Sequence, residues 1–148
     1  MPLPSRHPLV ALAAGAWLSA CAGGSVPGPG ATGYPYNVQG SYEGRFVFDG
    51  QPFDASLQLR TESGGRVRGA FLIAPPMSIE GRAEGVVIDD LLRLTVTYRS
   101  AEGCDGTVEG ILDIEPGGRT FEGPVTVRDC APPVAGRMSF SLRDRTPG

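Results

Sequence analysis

From Gly40 onward, apolar and polar residues alternate with a period of two, and turn-forming residues break the alternation at short intervals. Tyr42, Phe46 and Phe48 alternate with Glu43 and Arg45; Phe53, Ala55, Leu57 and Leu59 alternate with Asp54, Ser56, Gln58 and Arg60. Val67, Phe71 and Ile73 make a third apolar face, and Met77, Ile79 and Ala83 a fourth. Leu92, Leu94, Val96 and Tyr98 form the fifth, Val108, Leu112 and Ile114 the sixth, and Phe121, Val125 and Val127 the seventh. Val134, Met138, Phe140 and Leu142, set against Arg137, Ser139, Ser141 and Arg143, close the series. The pattern predicts eight strands with one apolar and one mostly polar face each, and no helix.

The candidate turns, at 49–52, 61–65, 74–76, 85–90, 100–106, 115–118 and 128–133, are short, so consecutive strands are expected to pair as hairpins. A motif of apolar, any, Gly, any, apolar recurs through the strands, with its glycine at 44, 69, 81, 110, 123 and 136, each on the apolar face. Glycine weakens a strand interior, so inward glycines need a reason. Tight coiling of the sheet is one reason, and room for large neighbours such as Phe46 or Phe71 is the other. Both point to a closed or strongly coiled sheet. The expected domain, residues 40–144, is therefore an all-β, eight-stranded antiparallel up-and-down barrel, similar in plan to lipocalin- and avidin-type barrels, with a β-sandwich as the alternative.

Residues 22–39 are rich in glycine and proline and have no apolar period, which reads as a tether over 21–39. As a random coil it would reach roughly 20–25 Å. Ahead of it, Leu9–Leu18 is a short apolar stretch preceded by Arg6. The stretch is too short to span a bilayer. It ends in Leu18-Ser19-Ala20-Cys21, which resembles the lipobox of a bacterial lipoprotein signal peptide over residues 1–20. The resemblance implies cleavage before Cys21 and lipidation of Cys21. Because Ala22 rather than aspartate follows, it also implies export to the outer membrane, facing the periplasm. Ala20-Cys21-Ala22 also fits an ordinary secretory cleavage site, which would release a soluble protein.

In that setting Cys104 and Cys130 remain as an even pair, and a disulfide is the expected state, with two free thiols as the alternative. In a meander the loops holding these two residues lie at the same end of the barrel, which makes the link geometrically sensible.

Composition removes several classes of chemistry. The chain has 13 basic and 16 acidic residues for a net charge of −3, a balance without the basic stripe that nucleic acid requires. Its basic side chains are arginines, and the single histidine, His7, lies in the signal segment. Ser–His, Cys–His and Ser–Lys nucleophile schemes and histidine metal sites are therefore not expected after maturation. Asp89-Asp90 reads as a turn, and with Glu84 it lacks any recognised calcium-ligand spacing. No enzyme activity, metal or cofactor is expected.

The inward residues are aliphatic and aromatic, and strands of this length predict a filled interior. Any pocket would open at one end, and the cysteine-bearing end carries the larger, proline-rich loops at 49–52, 74–76 and 131–133. The leading functional expectation is a membrane-anchored lipoprotein that binds an envelope protein partner or acts as a scaffold. A carrier of a small apolar ligand is the alternative. A third reading is a hydrolase inhibitor: lipid-anchored barrels with a disulfide are similar in plan to periplasmic lysozyme inhibitors. Ser63-Gly64, with Gly65-Arg66 after it, resembles the Ser-Gly loop of membrane-bound C-type lysozyme inhibitors, but the following tyrosine of that family is missing and no functional residue is carried over.

Overall fold

The computed structural model describes residues 24–145. The signal segment, the lipobox and Cys21 lie outside the described residues. The chain forms eight strands: β1 (Gly40–Phe48), β2 (Gln51–Thr61), β3 (Arg66–Ile73), β4 (Ile79–Ile88), β5 (Leu91–Arg99), β6 (Asp105–Ile114), β7 (Thr120–Arg128) and β8 (Val134–Asp144). Each pairs antiparallel with the next, and β8 returns to β1, closing a barrel in sequence order. Closure leaves no free edge and excludes the sandwich alternative.

The period-two pattern sets the register. Phe46 of β1 faces Phe53 of β2 and Met138 of β8, so one face of every strand turns inward together. The inward set, including Tyr42, Phe71, Leu92, Leu112, Phe121 and Phe140, is buried, and among the described residues no polar or charged residue is buried with it. The opposite faces carry exposed ion pairs such as Arg137–Glu122 (3.1 Å) and Arg128–Glu109 (3.8 Å). Exposed pairs of this kind contribute little stability and serve mainly to keep the wall wet.

The inward glycines answer to both physical reasons offered by the sequence. A Cβ at Gly69 would run into the carbonyl oxygen of Gln58, and one at Gly44 into that of Ser139. At these points neighbouring strands close in on the inner face, as tight coiling requires. At Gly106 the obstacle is instead the ring of Tyr98, which takes the space a side chain there would need.

Several turns are tighter than expected, two of them markedly, while the connection before β4 is longer (74–78) and takes Met77 out of the fourth strand. β1 and β2 join through Asp49-Gly50 alone, both at positive φ (48° and 74°), as a two-residue hairpin turn requires. β4 continues to Ile88, correcting the turn expected over 85–90 to Asp89-Asp90. Gly85 suggested a turn, but it is an inward strand glycine opposite Val67 and Leu94, where a Cβ would meet the Arg93 carbonyl.

The larger correction concerns the tether. Its 28–38 portion is folded across one end of the barrel and touches all three turns there. Pro29 lies against Gly65 of the β2–β3 turn, and the Tyr34 hydroxyl donates to the Asp89 carbonyl (2.8 Å) in the β4–β5 turn. Gly117 N–H of the β6–β7 turn donates to the Pro35 carbonyl (2.7 Å). Within the segment, Asn37 ties the chain back on itself, its Oδ1 accepting from Gly30 N–H (2.9 Å) and its Nδ2 donating to Ala31 (2.8 Å). Val38 is fully buried, and Tyr34 and Tyr36 pack on the core. Glycine and proline here set turns and close approaches rather than slack.

Candidate functional site

One end is closed by residues 28–38, so the interior is accessible from the other. That end is built by Asp49-Gly50 and the loops 74–78, 100–104 and 129–133. Cys104 and Cys130 lie in the last two loops with Cα atoms 5.7 Å apart, within disulfide distance as the meander predicts.

From the closed end upward, the core is a column of rings. Tyr42 meets Phe121 edge-on (4.8 Å), Phe121 contacts Phe140 (5.6 Å), Phe140 contacts Phe71 (6.4 Å), and Phe71 contacts Phe46 (6.2 Å). The Tyr42 hydroxyl, buried at the bottom, donates to the Gly118 carbonyl (2.9 Å). Burial pushes its phenol up to about 12.

Above Phe46 and Phe71 the column stops. A cavity of about 300 Å³ opens in the mouth. That volume lies at the lower end of the range for small-molecule sites. Phe46, Phe71, Ile73, Tyr98, Val108 and Val127 form its buried floor and walls. Phe48, Met77, Ile79 and the loop residues Ser100, Ala101, Glu102, Asp129 and Ala131 form the rim. The expected filled interior thus holds for the closed end and the middle, and fails at the mouth. The column of rings ends at Phe46 and Phe71, and Tyr98, whose ring lies back against Gly106 on the wall, does not close the space above them.

The polar geometry of the mouth centres on Asp129. Its Oδ2 accepts from the Tyr98 hydroxyl (3.1 Å), and its Oδ1 accepts from Ala131 N–H (3.0 Å). Burial, then the Asp129 charge and hydrogen bond, push the Tyr98 phenol up to about 12, so it stays a donor at neutral pH. Ser100 Oγ accepts from Cys104 N–H (3.1 Å), which ties the β5–β6 loop beside the disulfide position. Asp89 and Asp90 lie at the opposite end, where Asp89 receives Tyr34, so they take no part in the mouth.

Sequence reasoning located the open end but missed its side chains. Tyr98 reads as one more alternating aromatic residue, and Asp129 as a turn residue. The available signal was Gly106 opposite Tyr98, a glycine read as part of a turn.

No family model and no curated protein matches the chain. Among solved structures, a redesigned beta barrel, mFAP1, bound to DFHBI, is similar with a TM-score of 0.53 and 15% identity, over 72% of this chain and 94% of that one. At that identity the likeness shows the fold: an eight-stranded up-and-down β-barrel.

Proposed function

We propose that this protein is a non-catalytic carrier that takes a small ligand with an apolar body into the mouth of its barrel. The cavity of about 300 Å³ over a floor of aromatic and aliphatic side chains carries this reading. An otherwise close-packed core has no structural need for such a void, since each unfilled volume forfeits packing contacts. The mFAP1 barrel, of similar plan, is described with the small molecule DFHBI bound, which supports a ligand role for barrels of this plan. The void favours the carrier over the partner-binding reading that leads on sequence alone. We further propose that the carrier is held in the outer membrane, facing the periplasm, by a lipid on Cys21.

Naphthalene, neutral and apolar, tests the mouth. It should raise the melting temperature of the protein, because a ligand at about 100 times its dissociation constant adds roughly 2.7 kcal/mol to stability. Val108→Trp places an indole in the cavity and should abolish the shift while the variant still melts cooperatively. No shift in the unaltered protein, or an equal shift in Val108→Trp, would reject the mouth as the site.

A further inference from the structure

We infer that the ligand is an organic cation: an apolar, preferably aromatic body carrying an ammonium-type head. The inference rests on the carrier reading and adds the charge of the ligand. Among the described residues, the charged side chains lining the cavity are two carboxylates, Glu102 and Asp129. The arginines nearest this end are turned away from it. Arg99 follows inward-facing Tyr98 and lies on the outer face opposite Asp105, while Arg128 follows Val127 and pairs outside with Glu109 (3.8 Å). The charge seen from inside the mouth is therefore negative, although the barrel wall around it is mixed.

Asp129 is also held in place. It already accepts from Tyr98 and from Ala131 N–H. A carboxylate has about four acceptor positions, so both oxygens keep capacity for a donor or a cation arriving in the mouth. Below it the rings of Phe46, Phe48, Phe71 and Tyr98 line the cavity. They give the cavity an aromatic lining that suits an apolar, aromatic body. The carboxylates at the rim thus favour one ligand charge while the aromatic lining takes the apolar body, and they disfavour an anionic amphiphile whose head would meet Glu102 and Asp129.

Three probes of nearly equal shape separate the alternatives by calorimetric titration of the purified protein: benzyltrimethylammonium, its neutral carbon analogue neopentylbenzene, and the anion benzylsulfonate. The cation should bind at least about tenfold more tightly than the neutral analogue, with the anion weakest, and its advantage should shrink as salt screens the rim. Asp129→Asn combined with Glu102→Gln keeps size and the acceptor for Ala131 N–H, with the amide nitrogen donating to the Tyr98 hydroxyl in place of accepting from it, and should bring the cation to the level of the neutral probe without altering the latter. Equal affinity for cation and neutral probe would overturn the charge assignment while leaving the carrier reading intact. Failure of all three to bind would overturn both.

Discussion

A side chain of one carbon separates glycine from alanine, and at the inward glycines of this barrel that carbon has nowhere to go. At Gly69 the obstruction is the Gln58 carbonyl of the neighbouring strand, a backbone atom that cannot rotate aside. Gly69→Ala should therefore destabilise the protein by about 1–3 kcal/mol, the usual cost of overpacking, despite alanine's smaller loss of chain entropy on folding. Chemical denaturation measures this directly; a stability equal to or above that of the unaltered chain would show that the strands there have room to separate. The sequence made these glycines visible through their parity with the apolar residues, and parity alone left two explanations standing. Only the contacts distinguish them: a backbone carbonyl at Gly69 and Gly44, but a ring at Gly106, an inward glycine that the sequence reads as part of a turn.

At the scale of elements, alternation was enough to read eight strands, their inward faces and their order, because in a closed meander each of these follows from period and short loops. Segments whose conformation depends on distant partners were not legible. Residues 28–38 have no period, and their structure comes from docking on the turns after β2, β4 and β6. The vacancy in the mouth likewise depends on which inward positions from different strands share one layer. The loops after β5 and β7 were legible, since strand parity places Cys104 and Cys130 at one end. A link across their sequence separation of 26 adds about 3.5 kcal/mol by the chain-entropy relation. Reductant should accordingly lower the melting temperature by on the order of 10 °C. An unchanged value would mean that the two cysteines do not staple these loops in the native protein.

The whole molecule has a direction. Its outer wall carries Arg45, Arg68, Glu84, Arg93 and Glu109 at exposed positions, whereas a barrel set into a bilayer presents an apolar band there. Membrane attachment of such a barrel would have to come from outside it, which is the role of the proposed lipid on Cys21. Between Cys21 and the docked 28–38 segment lie residues 22–27, fewer than the 22–39 stretch that composition reads as a free tether. Because residues 28–38 dock on the closed end, an anchor at Cys21 favours holding that end toward the bilayer and leaving the mouth toward the aqueous side. A carrier tethered in this way would take its ligand from solution rather than out of the lipid. Cys21→Ser removes the acyl attachment point without touching the barrel. The variant should leave the membrane fraction for the soluble fraction, and its affinity for benzyltrimethylammonium should be unchanged, because cavity and anchor lie at opposite ends of the fold. Persistence of the variant in washed membranes would reject the lipid anchor. A change in affinity would show instead that the N-terminal segment communicates with the mouth through the column of rings between them.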